Sequence, residues 1–453
     1  MSPKDIGFGM MARSGTELSS RVKSYSNSDG DTSVDPRIPD STCLSPNLLL
    51  YLSEKEVFMT RLRTILPLII LLITLGMQSP AQEAPAALLA QFDTDFSRRV
   101  ISFDEILSGG PPKDGIPSID NPGFVRVESA AEWLSPREPV IAVRNKDTTK
   151  IYPLQILTYH EIVNDEIGGI PVAVTFCPLC NTGIAFYREA TVPRAVRDEA
   201  GGDTLVLDFG TTGRLRFSNL LMYDRQTESW WQQATGEAVM GLFTGETLRL
   251  YPAVTLSWKE ASATYPDARV LSKETGYERP YGRNPYAGYD EGSPWAYRGP
   301  APPEERDLMD RMVEVSYRGD SELYPYTQLQ EERIIRDTLG GRPVVVFWHP
   351  GTASALDAAD IAEGRDVGTA NAFSPVLTIP DEGRTELEFR VRRGEIVDRK
   401  TRSVWNSAGR AVSGPLEGLE LVPIPATDHF WFSAWAFADD PAAGREVAPP
   451  PPQ

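Results

Sequence analysis

Sulfur and imidazole are scarce in this chain: its 453 residues include three cysteines and three histidines. Cys43 lies in a polar N-terminal stretch, so the body of the chain keeps a single pair, Cys177 and Cys180, separated by Pro178 and Leu179. One short bridge cannot scaffold a chain of this length, and a hydrophobic core has to hold the fold. Basic charge is also in deficit. The net charge of -18 argues against nucleic acid as a partner, because phosphate neutralisation needs clustered Lys and Arg. The sequence has no Gly-x-Ser-x-Gly elbow, no Walker loop and no His-Glu-x-x-His helix, so hydrolase, nucleotide and zinc-protease readings lack support.

What is present begins with a segment shaped like an export signal. Arg61 and Arg63 precede the apolar run Ile65–Leu75, and Ser79-Pro80-Ala81 has the small-residue character of a cleavage site. The run falls short of the about 20 residues that cross a bilayer as a helix. Residues 1–58 are therefore read as a disordered or mis-assigned extension, and 59–81 as a signal peptide or membrane anchor. This places the protein in the periplasm or another extracytoplasmic space, touching membrane only through that segment if it is not cleaved.

A repeat organises the remainder. Tyr152-Pro153 through Cys177-Pro178 aligns without a gap on Tyr324-Pro325 through His349-Pro350. The match resumes with Asp224-Arg225, Thr227, Ser229 and Trp231 on Asp398-Arg399, Thr401, Ser403 and Trp405. It continues through Trp258 on Trp431, at a constant offset of 172 to 174 residues. Short alternating runs such as Val140–Val143, Glu161–Ile167, Pro171–Phe176, Gly183–Tyr187 and Leu215–Tyr223 read as strands, with Gly168-Gly169 as a hairpin turn. The expected fold is mainly β with a few short helices, in two tandem diverged copies of one β-rich repeat. The expected boundaries are an arm at 82–138, repeat 1 at 139–275, a Tyr/Gly/Pro-rich connector at 276–311, repeat 2 at 312–445 and a Pro-rich tail at 446–453. Asp224-Arg225, retained in both copies, is expected to form a buried or turn-capping ion pair.

Gly109-Gly110-Pro111-Pro112-Lys113-Asp114-Gly115-Ile116-Pro117, His160-Glu161-Ile162-Val163-Asn164-Asp165, Thr175-Phe176-Cys177-Pro178-Leu179-Cys180-Asn181 and Tyr223-Asp224-Arg225 together carry a resemblance. The chain resembles the bacterial family labelled domain of unknown function 3179, over about Ile101 to Phe437. Members with selenocysteine in the thiol motif imply redox or metal chemistry there, although this chain has cysteine at both places.

A Cys-x-x-Cys pair cycles between dithiol and disulfide, ligates a metal, or forms a static bridge. Here the pair sits in a Pro-containing turn between strands, like the knuckle of a zinc ribbon, and no helix follows to stabilise a thiolate. A structural zinc site takes four ligands and the knuckle supplies two. His160 precedes the hairpin that delivers Cys177, and His349 occupies the position of Cys177 in the second copy, where a pseudo-twofold axis can bring equivalent residues together. Cys177, Cys180, His160 and His349 are thus the expected metal ligands, for zinc or copper. The alternatives are a thiol-disulfide oxidoreductase, with Cys177 as nucleophile and Cys180 resolving, and a binding module with a static bridge, for an unknown protein or small-molecule partner. Glu161, Asp165 and Asn181 complete the candidate list, the two carboxylates as general acids or bases if buried.

Overall fold

The computed structural model describes residues 84–438; the extension at 1–58, the signal-like segment at 59–81 and the tail at 446–453 lie outside them. The fold is mainly β. The main elements of the first half are β1 (Pro139–Asn145), β2 (Thr148–Pro153), α1 (Leu154–His160), β3 (Ile162–Ile167), β4 (Ile170–Cys177), β5 (Thr182–Tyr187), β6 (Phe209–Arg216), β7 (Asn219–Asp224), β8 (Trp230–Gln232), β9 (Ala238–Met240), β10 (Leu250–Tyr251), β11 (Ala253–Ser257) and α2 (Trp258–Thr264). In the second half they are β12 (Arg311–Tyr317), β13 (Asp320–Pro325), α3 (Tyr326–Glu332), β14 (Ile334–Leu339), β15 (Arg342–His349), β16 (Thr369–Ser374), β17 (Phe389–Arg392), β18 (Glu395–Asp398), β19 (Val404–Trp405), β20 (Ala411–Ser413), β21 (Val422–Ile424), β22 (Ala426–Phe430) and α4 (Trp431–Ala438).

Strand order is the same at three places in the two halves. β11-β1-β2 corresponds to β22-β12-β13, β10-β5-β4-β3 to β21-β16-β15-β14, and β6-β7-β8-β9 to β17-β18-β19-β20. Local chemistry explains the shared joints. Pro153 and Pro325, at φ -65° and -64°, deliver their strands into α1 and α3 without wasting an amide. Gly168-Gly169 and Gly340-Gly341 adopt positive φ at both turn positions, closing β3 on β4 and β14 on β15 by two-residue hairpins.

Asp224 and Asp398 are fully buried and do the same work. Each accepts from the amide of the third residue on, Thr227 at 2.6 Å and Thr401 at 2.5 Å, and from the indole of Trp231 at 2.9 Å and Trp405 at 3.2 Å. Among the described residues the expected Asp224-Arg225 ion pair does not form, because Asp224 ends β7 facing inward to the Thr227 amide and the Trp231 indole while Arg225 begins the turn that follows. Arg225 turns outward to Asp114 instead, at 3.0 Å.

The halves interlock. Thr182 on β5 meets His429 on β22, with 3.1 Å between Oγ1 and Nδ1, while Thr369 on β16 donates to the Thr255 carbonyl of β11 at 2.7 Å. A continuous core around β3, β4 and β5 takes in Phe430 and Phe432 from the second half, and Cys177 and Cys180 lie inside it.

Candidate functional site

β4 is buried on both faces from Val172 to its end at Cys177. Pro178 then starts a single 3-10 turn, Pro178–Cys180, which Asn181 closes by donating its amide to the Pro178 carbonyl at 3.2 Å. Asn181 takes a left-handed φ of 53°, a conformation its short polar side chain tolerates better than most. Both thiols are free, at 1% and 0% exposure, so the static bridge expected under one reading is not found. The Cys180 thiol instead faces the Ser218 carbonyl at 3.3 Å, with Cys177 Sγ 4.0 Å from the same oxygen. Burial pushes the Cys177 thiol well above its ordinary range, and neighbouring Cys180 adds to this. The amides of Leu220 and Cys180, aimed at the sulfur, offset only part.

Glu161 stands beside the pair. It ends α1 at φ 58°, and its carbonyl accepts from the Phe176 amide at 2.8 Å, which ties it to the residue before Cys177. Its carboxyl is pushed well above the usual carboxylate range, by burial first and by Cys177 second. Burial thus favours the neutral form of both the carboxyl and the thiol. Phe217 and Ser218 also adopt positive φ, 51° and 64°, in the two-residue turn between β6 and β7. Left-handed geometry costs a non-glycine residue about 1 kcal/mol or more, and four such residues surround the thiols. Strain gathered in this way is found at sites whose geometry matters more than local stability.

The connector forms the ceiling of the site. Tyr289 donates its phenol to the Leu179 carbonyl at 3.0 Å and accepts from the Trp295 amide at 3.1 Å. Ser218 Oγ donates to the Trp295 carbonyl at 2.6 Å, closing a loop of contacts around the thiol turn. Tyr297 near Cys180 has its phenol pushed up to about 12, mainly by burial. Tyr286 near Glu161 and Cys177 is raised for the same reason. Asp290, buried between Arg311 at 3.0 Å and Arg365 at 3.1 Å, anchors this segment to the second half. A pocket of about 470 Å³ lined by Leu179, Tyr286, Tyr289 and Trp295 opens directly over the turn.

The other candidates are dispersed. His160 is buried with both ring nitrogens engaged: Nδ1 donates to the Pro117 carbonyl at 2.8 Å, and Nε2 lies 2.6 Å from the Tyr281 hydroxyl. A carbonyl can only accept, so Nδ1 carries the proton and Tyr281 donates to Nε2. Burial also lowers the imidazole's pKa, which keeps the ring neutral. Asp165 accepts from Lys150 at 2.8 Å and Tyr152 at 2.6 Å, as Asp337 accepts from Tyr324 at 2.7 Å, and is occupied in holding β2 to β3. His349 lines a different cleft, with Arg333 and residues of α2. Among the described residues no group of three or more His, Cys, Asp and Glu side chains is placed to hold a metal.

Sequence reasoning missed Ser218, Tyr286, Tyr289, Tyr297 and His429. The density of tyrosine in the connector was the available signal for three of them. His429 reaches the site through Thr182, whose hydroxyl also lies 3.2 Å from the Cys180 carbonyl.

A family model described as "Protein of unknown function (DUF3179)" matches residues 113–441. No curated protein and no solved structure matches the chain.

Proposed function

We propose, for a chain that belongs to the Protein of unknown function (DUF3179) family, that Cys177 and Cys180 form a buried dithiol centre that reduces a disulfide in a protein or small-molecule partner. The observation that carries this reading is a pair of free, buried thiols in one turn, with the buried Glu161 beside them and Tyr289 of the aromatic ceiling bonded to the turn. When the ceiling opens and water or partner enters, Glu161 ionises and then takes the Cys177 proton. The Cys177 thiolate attacks one partner sulfur, the partner S–S bond breaks, and the departing partner thiolate takes up a proton. Cys180, giving up its own proton, next attacks Cys177 in the mixed disulfide. A Cys177–Cys180 bond forms and the second partner thiol leaves. Two electrons pass from the pair to the partner.

Zinc or copper coordination is the second reading, favoured by the amides aimed at the Cys177 sulfur as in a metal knuckle. His160 joins such a sphere only by giving up its Tyr281 bond, and His349 faces a separate cleft. The dithiol reading needs neither residue.

Two wider elements belong to the same proposal. The halves are diverged copies of one β-rich unit, repeat 1 at 139–275 and repeat 2 at 312–445; the shared strand orders and paired Asp224 and Asp398 hubs support this. The work is extracytoplasmic, on the strength of the basic and apolar segment before Gln82.

The test is to trap the intermediate. Cys180→Ala treated with glutathione disulfide should accumulate a mixed disulfide at Cys177, visible by mass spectrometry, whereas Cys177→Ala should not. Failure of both variants to form any adduct after the ceiling is loosened by Tyr289→Phe would overturn the reading. Stoichiometric bound metal in the untreated protein, lost in Cys177→Ser, would favour coordination instead.

A further inference from the structure

The second half carries, at the framework position of the thiol site, a basic counterpart. Arg333 ends α3 at φ 66° and its carbonyl accepts from the Trp348 amide at 3.0 Å, as Glu161 does for Phe176. Where the first half places a carboxyl and a thiol, the second places a guanidinium and the imidazole of His349. Both line a cleft of about 780 Å³ that Lys259 and Glu260 border from α2 and Arg410 and Glu417 from the opposite side.

Arg333 and Lys259, like the carboxylates of Glu260 and Glu417, line the cleft without an ion-pair partner among the described residues. Arg333 Nε donates to the Trp348 carbonyl at 3.0 Å and one terminal nitrogen to the Gly394 carbonyl at 3.4 Å, and among the described residues no carboxylate pairs with it. The guanidinium also packs over the Trp348 ring at 5.2 Å, which fixes its plane. Lys259 likewise has no carboxylate partner among the described residues. Arg410 is already matched to Glu420 at 3.5 Å, and Glu260 spends an oxygen on the Ser407 amide at 2.7 Å. Nε2 of His349 is buried without a partner. Burial first, and Arg333 second, push that imidazole down to about 4, so it is neutral at pH 7 and offers an N–H rather than a charge.

A fixed, unpaired guanidinium with free terminal N–H groups is matched by an oxyanion, which can take two parallel hydrogen bonds from it. We propose that this cleft binds a small oxyanion-bearing ligand, a carboxylate or a phosphate, held by Arg333 with His349 and Lys259 as further donors.

The experiment is calorimetric titration of the full chain with inorganic phosphate alone and, separately, with succinate alone. One of the two should bind saturably, and which one does identifies the source of the oxyanion. Arg333→Gln should weaken that binding about tenfold or more, the loss of one charge-assisted contact. Arg333→Lys should retain part of it, and His349→Gln, which keeps a donor, should weaken it less than His349→Ala. Thermal midpoints of the variants show whether each is folded, and Lys259→Gln, at an exposed position, gives a folded control that should also bind more weakly. Saturable binding of neither anion, or equal affinity in wild type and folded Arg333→Gln, overturns the proposal.

Discussion

The phenol of Tyr289 hangs from the carbonyl of Leu179, 3.0 Å away, so a residue of the connector holds the middle of the thiol turn from above. With the Ser218 bond to the Trp295 carbonyl, this contact ties the ceiling to the thiol turn. Tyr289→Phe removes it while keeping the ring against Phe430. The variant should lose about 1 kcal/mol of stability. Alkylation of Cys177 and Cys180 by iodoacetamide under native conditions should accelerate severalfold, measured by mass spectrometry over time. An unchanged alkylation rate would mean that the ceiling does not control access.

Glu161 makes a prediction about pH. Its folded-state pKa lies above that of the unfolded chain, so the stabilising effect of the neutral form is complete below the ordinary value of 4.5 and is lost as pH rises toward the folded value. Glu161→Gln, permanently neutral, should therefore gain on wild type in urea denaturation as pH rises from about 5 to about 8. A difference that stays constant over that range would place the carboxyl in water rather than beside Cys177.

His349 behaves in the opposite sense. Its folded value of about 4 lies below the ordinary 6.5, so its contribution is fully present above 6.5 and is lost as pH falls toward 4. His349→Gln should flatten the acid side of the stability profile by on the order of 2–3 kcal/mol. The measurement is the urea midpoint of both proteins across that window.

The paired hubs predict equal costs in the two halves. Asp224→Ala leaves the Thr227 amide and the Trp231 indole without their acceptor, and Asp398→Ala does the same to Thr401 and Trp405. Each should destabilise the protein by about 3 kcal/mol or more, read from thermal melting. A large cost in one half alone would show that the two carboxylates are not equivalent.

Where alternation and glycine spoke together, the strands were legible: β3 and β4 close around Gly168-Gly169 as the sequence leads one to expect. The run Leu215–Tyr223 was not. It reads as a single strand but folds as a hairpin, because Phe217 and Ser218 take the left-handed turn usually given to Asn-Gly and carry no turn signal of their own. That same turn brings the Ser218 carbonyl to the sulfurs, so the missed hairpin is also a missed wall of the site. Glu161 was visible as a candidate acid or base, yet the rise in its pKa follows from tertiary burial, which no local pattern encodes. His160 was expected as a metal ligand beside the thiols, but the Pro117 carbonyl and Tyr281 hydroxyl that occupy its ring come from 43 and 121 residues away.

Cys177 and Cys180 are free, buried and held in one short turn, the arrangement that a reversible dithiol–disulfide pair needs. The decisive measurement is the fraction of the Cys177–Cys180 disulfide, by mass spectrometry of alkylated full-length protein, after equilibration in dithiothreitol redox buffers. The account predicts one reversible two-electron transition between dithiol and disulfide. A pair that never bridges across the accessible range, in protein shown to be folded, would contradict it.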